Sequence, residues 1–182
     1  FKNKRIIVNS GISTYEDSNL RNYQRSSKAH NMITLDDENT SEVWSAFRVA
    51  RRVNTKILNI EDEKNFLKVV ASYEDLNRSK VERRFKIADS RLRVMDKVAN
   101  SNKKKITYLH LSPDAYIEND KDQIYILMKG ERIFTLIHDY SHFNIENTFW
   151  YPSFGTAIPN LTLKFISSAK VEQNFFEIKK LH

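Results

Sequence analysis

Alternation of apolar and charged residues with a period of two is the feature that most constrains what this chain can fold into. Between residues 91 and 98, for example, apolar residues take most even positions, and arginine or lysine takes most odd positions. Because successive side chains of a β-strand point to opposite faces, such a segment predicts a strand with one dry and one wet face. The predicted strands lie at 45–53, 66–73, 81–87, 92–98, 106–111, 123–128, 132–138, 161–166 and 171–178.

Few segments of the sequence favour a structure other than strand. Only residues 18–24 suggest a short helix, while runs rich in asparagine and aspartate at 36–39, 59–63 and 118–122 predict turns and loops. Lys129-Gly130-Glu131 is typical of a hairpin turn between two of the strands. The sequence therefore predicts an all-β fold, a single antiparallel β-sandwich domain over residues 1–182. We expect about ten or more strands, a supersandwich-like arrangement and negligible helix.

The composition excludes several classes of protein and of site. The chain of 182 residues has no cysteine, which excludes a disulfide scaffold, a thiolate metal site and a cysteine nucleophile. With three glycines it has no glycine-rich phosphate loop, and no stretch approaches 18 apolar residues, so we expect no membrane span. The first residue is Phe1 and no signal-peptide pattern follows it, so we expect a piece of a longer protein. The compartment stays open between bacterial periplasm and cytoplasm.

The net charge points to an anionic partner. Thirty lysines and arginines against 23 aspartates and glutamates give a net charge of +7. Nucleic acid is one such partner, but the sequence has no nucleic-acid-binding signature, and its aromatic residues do not alternate with basic ones as a stacking platform requires. We therefore predict no nucleic-acid partner. A basic β-domain that binds nucleic acid remains as an alternative hypothesis.

Three segments near the N-terminus resemble a known family. They are residues 9–15 (NSGISTY), 21–31 (RNYQRSSKAHN) and 41–52 (SEVWSAFRVARR). They resemble the D-x-G-T-x-x-Y turn, the R-S-T-x-A-H-N run and the W/F-x-x-F-R-x-A-R-R strand of the heparinase II/III-like polysaccharide lyases, in their C-terminal domain. Further matches at 81–85, 109–113 and 151–155 extend the resemblance over nearly the whole chain. The residues in register with the R-S-T-x-A-H-N run are Arg25, Ser26, Ala29, His30 and Asn31.

The resemblance implies half of an enzyme. In this family an α/α toroid of helices precedes the β-sandwich, and the substrate is an anionic, uronate-containing polysaccharide that is cut by β-elimination. This chain would then have two partners, the polysaccharide and the upstream toroid of the same parent chain. Because the toroid supplies an essential tyrosine and asparagine in the family, we expect the chain alone to be inactive. The alternative hypothesis is a non-catalytic carbohydrate-binding or adhesion module.

The resemblance also implies candidate site residues. His30 and Tyr15 are the catalytic candidates, an imidazole to orient the substrate or neutralise its charge and a phenol to donate a proton. Arg21, Tyr23, Arg25 and Asn31 are the substrate-binding candidates, since guanidinium groups bind carboxylate and sulfate in bidentate fashion. If a toroid packs here, an exposed apolar surface should lie around Tyr15, Tyr23 and Trp44.

Other histidines and aromatic residues are predicted to be structural. His110, His138 and His142 have no paired ligand spacing, and His182 is expected to be disordered at the terminus. Trp44, Trp150 and Tyr151 either stack on sugar rings or belong to the core, and aromatic residues on strands usually belong to the core.

No cofactor is predicted for this chain. Branches of the family that bind zinc carry an aspartate where this sequence has Asn9, and an amide is a poorer zinc ligand than a carboxylate. Zinc or calcium in the intact parent is left open, with His30 as the candidate ligand.

Overall fold

The computed structural model describes residues 3–120 and 123–181, in which antiparallel strands are the main secondary structure. A helix of six residues, α1 (Asn19–Gln24), and a 3-10 turn (Ser27–Ala29) precede the strands. The predicted helix at 18–24 is therefore confirmed. His182, like the last two residues of the loop predicted at 118–122, lies outside the described residues. The strands are β1 (Ile33–Leu35), β2 (Val43–Trp44), β3 (Arg48–Val49), β4 (Lys56–Glu63), β5 (Phe66–Glu74), β6 (Lys80–Ala88), β7 (Arg91–Ala99), β8 (Lys105–His110), β9 (Ala115–Asp120), β10 (Gln123–Met128), β11 (Glu131–His138), β12 (His142–Trp150), β13 (Ile158–Ser167) and β14 (Gln173–Lys180).

Two sheets form the sandwich, and the all-β prediction is confirmed. The large sheet has eight strands in the order β4-β5-β6-β7-β14-β11-β10-β9, and the small sheet has four in the order β1-β8-β13-β12. Strands β2 and β3 form a separate hairpin. The predicted turn at Lys129 and Gly130 joins β10 to β11 with positive φ at both residues, as a tight hairpin requires.

The core lies between the two sheets. Leu109 and Phe165 of the small sheet pack against residues of the large sheet such as Leu136 and Phe176. The rings of Phe165 and Phe176 stack in parallel with 5.5 Å between centroids. Burying one such side chain contributes about 1.5–3 kcal/mol, so this layer supplies most of the driving force for folding.

The strand predicted at 45–53 is wrong. The segment instead forms the second half of the β2–β3 hairpin, in which Val43 pairs with Val49 and Trp44 with Arg48. Ser45 has a φ of 45°, which a strand does not adopt. Two arginine side chains, one from α1 and one from its C-cap, donate to backbone carbonyls of this turn and hold it in place. Phe47 is left 68% exposed rather than facing a core.

The loops predicted at 59–63 and 118–122 are wrong, because strands run through the described residues of both segments. Residues 59–63 belong to β4, and residues 118–120 belong to β9. Both strands are edges of the large sheet, where one side of the backbone faces no neighbour and polar side chains are favoured. The turn predicted at 36–39 is confirmed by Asp36 and Asp37, which directly follow β1 and have positive φ.

Candidate functional site

The segment that carries the family motifs crosses the edge of the small sheet by a close backbone contact at Gly11. The amide of Tyr151 donates to the Ser10 carbonyl at 2.6 Å, and the amide of Ile12 donates to the Tyr151 carbonyl at 3.1 Å. Gly11 lies between these bonds with a φ of +82°, and a Cβ there would be 2.0 Å from the Tyr151 carbonyl oxygen. Only glycine fits both the backbone conformation and the space.

Local capping and a buried amide then fix α1 beside this crossing. Ser18 caps the helix, since its Oγ accepts from the Arg21 amide at 3.2 Å. At the other end, the buried Gln24 accepts from the Ser13 amide at 3.1 Å and donates to Ser13 Oγ at 2.8 Å. The 3-10 turn follows. His30 comes directly after it, and its backbone amide donates to the Ser27 carbonyl.

The His30 cleft is the open space that this arrangement leaves, about 630 Å³ in volume. Its polar lining includes Asn9, Arg21, Arg25, His30 and Arg52. The His30 side chain is exposed to this space. Desolvation by nearby protein atoms lowers its pKa below the ordinary value, so the imidazole is largely uncharged near neutral pH. The cleft thus joins a neutral imidazole to three guanidinium groups.

Arg21 of α1 and Arg25, the residue that follows the helix as its C-cap, are bound mainly to the protein itself. Arg21 is 6% exposed and donates from Nε to the Ala46 carbonyl at 3.1 Å, while its Nη1 is buried with no hydrogen-bond partner among the described residues. Arg25 donates to the carbonyls of Trp44, Ser45 and Arg48. Both side chains therefore attach the hairpin to α1, and Arg21 keeps one free donor beside the cleft.

Asn31 is placed as a connector beneath the cleft. Its Oδ1 accepts from the His110 amide at 2.7 Å, and its Nδ2 donates to the Val8 carbonyl at 3.0 Å. Its own carbonyl accepts from Arg83 Nη1 at 2.5 Å. These bonds occupy both ends of the amide and hold the residue next to His30, whereas binding of substrate by Asn31 stays a prediction.

Tyr15 belongs to an exposed aromatic cluster at the rim. Its ring lies 5.0 Å from that of Phe154 and 5.8 Å from that of Phe47, and the Arg21 guanidinium lies 5.0 Å from its centroid. Tyr15 is 52% exposed and Trp44 53%. The expected exposed apolar surface is therefore confirmed at Tyr15 and Trp44, but it does not include Tyr23, which is half-buried.

Tyr23 faces a second, smaller cleft of about 310 Å³ rather than the first. Asp37, Tyr108 and Lys164 also line it, and the Tyr108 hydroxyl donates to Asp37. Burial, with Tyr151 and Glu146 nearby, raises the pKa of Tyr23 to about 12. A phenol with this pKa stays protonated near neutral pH, so the Tyr23 hydroxyl keeps its proton and is able to donate it in a hydrogen bond. The six candidate residues are thus not all in one site. Three line the His30 cleft, Tyr23 lines the smaller cleft, Tyr15 lies at the rim, and Asn31 lies beneath the His30 cleft.

Of the other histidines, His110 and His138 have the structural environments that were predicted. His110 is fully buried, with its ring nitrogens bound to the Lys28 carbonyl and to Thr162 Oγ1, each at 2.8 Å. His138 packs among aromatic rings, 5.3 Å from Phe143 and from Phe165. His142 is exposed on β12.

Sequence reasoning missed the smaller cleft, and it missed the place of Arg52 in the His30 cleft. Asp37, Tyr108 and Lys164 come from three distant segments, and nothing in their spacing links them. Arg52 belongs to the 41–52 motif, but the sequence favoured a solvated face for its side chain rather than a place in a site. The available signal was the motif at 109–113, because Tyr108 directly precedes it.

The described residues do not form a zinc site. Among residues 3–120 and 123–181, no group of three or more histidine, cysteine, aspartate or glutamate side chains converges. Asn9 stands at the position that the resemblance aligns with the zinc-binding aspartate. Its Oδ1 accepts a hydrogen bond from the backbone amide of Asn31 at 3.4 Å. His30 has no carboxylate beside it in the cleft lining. No helix in this part of the chain is long and apolar enough to span a bilayer.

Comparison with known proteins supports the fold and the family. A heparinase III gene product superposes with a TM-score of 0.80 and 16% identity, over 100% of this chain and 29% of its own length. The heparan sulfate lyase HepC from Pedobacter heparinus gives 0.78 and 12%, over 97% of this chain and 28% of its own. A search of curated protein sequences finds no match.

These likenesses show a shared fold, and the chain spans less than a third of the length of either solved protein. The family follows from the sequence model described as heparinase II/III-like, C-terminal, which matches residues 1–178. Because that match covers nearly every residue, the chain belongs to the heparinase II/III-like C-terminal family.

Proposed function

We propose that this chain is the C-terminal β-sandwich of a lyase that cleaves a uronate-containing anionic polysaccharide by β-elimination. The observation that carries the proposal is the His30 cleft, in which Arg21, Arg25 and Arg52 accompany a neutral imidazole. Such a cleft concentrates positive potential and favours an anionic polymer. The solved proteins of the same fold include a heparan sulfate lyase, whose substrate is a polymer of this kind.

The chemistry needs charge to be neutralised next to the reacting carbon. A base removes the proton at C5 of the uronate, the C4–C5 double bond forms, and the oxygen at C4 leaves with a proton. Negative charge develops on the carboxylate attached to C5, so donors placed there lower the barrier. A neutral imidazole supplies one N–H donor, and we assign His30 to the carboxylate. Tyr15 is assigned to the rim as the candidate proton donor.

We further propose that an upstream domain of the parent chain packs on the exposed aromatic cluster and supplies the base. Tyr15, Phe47 and Phe154 form one exposed cluster beside the cleft. An apolar surface of this kind is expected to be covered in the intact protein. The roles of Arg21 and Arg25 then include holding the hairpin that carries Phe47.

The test is elimination by the full-length protein on heparan sulfate, chondroitin sulfate and alginate, read from the absorbance of the unsaturated product. His30→Ala should lower kcat about tenfold or more, a loss of at least about 1.4 kcal/mol of transition-state stabilisation. His142→Ala, which removes an exposed imidazole from β12, should leave kcat unchanged.

Two results would contradict the proposal. If the full-length protein binds these polymers and cleaves none, the chain is a non-catalytic carbohydrate-binding module. If the protein cleaves one of them and His30→Ala is as fast as wild type with the same melting temperature, the assignment of His30 is wrong.

A further inference from the structure

A larger groove lies where four strands of the large sheet end, beside the segment that follows the β2–β3 hairpin. We call it the end groove, and its volume is about 1070 Å³. Its lining comes from the connector 51–54, the start of β4, the β5–β6 turn and the end of β7. Arg51 and Arg52 end the family segment 41–52, and Val81 and Glu82 begin the match at 81–85, whereas the other lining residues belong to no motif and to no step of the proposed reaction.

The end groove is basic, because its lining has six lysines or arginines and three acidic residues. Glu74 lies opposite Lys80 in the sheet register, and the other two acidic residues are engaged by neighbouring groups. Asp75 accepts from the amides of Asn77 and Ser79 at 2.9 and 2.8 Å. Glu82 pairs with Arg84 at 2.6 Å. On the basic side, only Arg51 has an ion-pair partner, Glu42. The basic lining residues that make no ion pair with any residue in 3–120 or 123–181 are Arg52, Lys56, Arg78, Lys80 and Lys97.

The register of the sheet spreads these charges along a line. Lys56 pairs with Ser72, Ser72 with Glu82, and Glu82 with Lys97, so the two lysines stand three strand spacings apart. Three spacings amount to roughly 14 Å. Charges separated in this way match a chain with repeated anionic groups better than they match one compact anion.

Ring stacking is not available in the end groove, which separates polysaccharide from nucleic acid. Its one aromatic lining residue is Tyr73, which is partly buried and whose hydroxyl donates to the Ile33 carbonyl at 3.4 Å. Proteins that bind single-stranded nucleic acid combine basic grooves with exposed aromatic rings on which bases stack. A polysaccharide with carboxylate or sulfate groups needs only the charges.

The end groove also continues from the His30 cleft, because Arg52 and Val53 line both. We propose that the end groove is an exosite that binds a segment of anionic polysaccharide beyond the unit at His30. This inference rests on the proposed function for the identity of the polymer. The exosite increases the affinity of long chains and leaves the chemistry at His30 unchanged.

The test compares two triple variants of the full-length protein that remove equal charge. The groove variant carries Arg78→Ser, Lys80→Ser and Lys97→Ser, and the control carries Lys64→Ser, Lys129→Ser and Lys170→Ser from other turns. Each set includes one residue of positive φ, Arg78 or Lys129, so the effect of a substitution in left-handed backbone is matched. Binding of long heparan sulfate and of alginate is measured across salt concentrations, with single-stranded DNA as a third probe and thermal melting as the check on folding.

We expect the groove variant to bind heparan sulfate or alginate about tenfold more weakly at low salt, with a slope of log K against log salt smaller by about two. The control should keep the wild-type slope. On a polymer that the protein cleaves, the groove variant should raise KM and keep kcat, since it removes uniform binding. The two polymers distinguish sulfate from carboxylate recognition.

Three outcomes overturn the exosite. They are equal losses in the two triple variants, no binding of either polysaccharide by wild type, and tighter binding of DNA that is lost only in the groove variant. The proposed function fails separately. If wild type binds polysaccharide through the end groove but produces no unsaturated product, the exosite stands and the lyase reaction is wrong.

Discussion

Two residues of the family segment show how a short motif fixes backbone rather than chemistry. Gly11 permits the crossing over Tyr151, and Asn31 ties three segments together through both ends of its amide. The sequence indicated both residues through a resemblance, without a reason for either. The reason for Gly11 is a contact with a residue 140 positions away, which no local pattern reveals.

Replacing Gly11 by alanine should destabilise the protein more than the same change at Gly130. Both glycines have positive φ, so both pay a strain of about 1–2 kcal/mol in left-handed backbone. At Gly11 the new methyl also meets the Tyr151 carbonyl, whereas nothing lies within 4 Å at Gly130. Urea unfolding of the two variants gives the difference directly, and equal losses would mean that the crossing relaxes without cost.

The edges of the sheets are the elements that sequence patterning missed. The eight interior strands, β5, β6, β7, β8, β10, β11, β13 and β14, were all predicted. The four edge strands, β1, β4, β9 and β12, were not. Most interior strands bury one face and therefore alternate, and β8 is buried along all of its residues. An edge strand is shorter or more exposed. In β4, Ile57 and Ile60 are 65% and 57% exposed, and polar residues occupy both faces.

The hairpin shows a different limit of the same patterning. Its alternation at 45–53 matched a long strand, but the chain turns at Ser45, where Arg25 binds three carbonyls. A side chain from another element therefore overrode a local preference. The arrangement also explains why Arg25 is fixed in place rather than free in the cleft.

Arg25→Met should loosen the β2–β3 hairpin while the sandwich remains folded. The change removes the donors to Trp44, Ser45 and Arg48, which together contribute on the order of 1–3 kcal/mol because water competes for them. Amide hydrogen exchange should become faster in residues 42–51 and stay unchanged in β8 and β13. Arg48→Met, an exposed arginine on the same hairpin, is the matched control. Unchanged exchange in Arg25→Met would show that the hairpin is held by other contacts.

Across the whole molecule, a buried ion pair connects the large sheet to the candidate site. Arg83 of β6 binds Asp96 of β7 through two bonds of 2.6 and 2.7 Å, and reaches Asn31 beside His30. The Asp96 side chain is 1% exposed, so the pair lies within the sandwich. Sequence reasoning placed Arg83 in a family motif but could not give its partner. Only the antiparallel register sets Arg83 opposite Asp96.

The stability of the whole fold should fall as the pH falls from 7.5 to 5.5, and His110 should cause part of the loss. Burial lowers the pKa of His110 below its ordinary value of 6.5, so the native state keeps this ring neutral while the unfolded chain takes up a proton. The unfolded state then binds more protons, and the free energy of unfolding decreases below about pH 6.5, by at most about 1.4 kcal/mol per pH unit for one histidine. Urea unfolding at several pH values measures this slope.

His110→Gln should reduce the dependence of the free energy of unfolding on pH, even if it lowers stability at every pH. Glutamine has no group to take up the proton that only the unfolded chain binds. His142→Gln, which changes an exposed residue of β12, should keep the wild-type slope. The interval above pH 5.5 avoids the range in which carboxylates such as Asp37 take up protons. Burial of Asp37 acts to raise its pKa, but hydrogen bonds from Tyr108 and Lys28 outweigh burial and hold that pKa below its ordinary value. If His110→Gln keeps the full slope, the ring is charged in the native state. The Lys28 carbonyl and the Thr162 hydroxyl would then both accept hydrogen bonds from an imidazolium rather than contact a neutral imidazole.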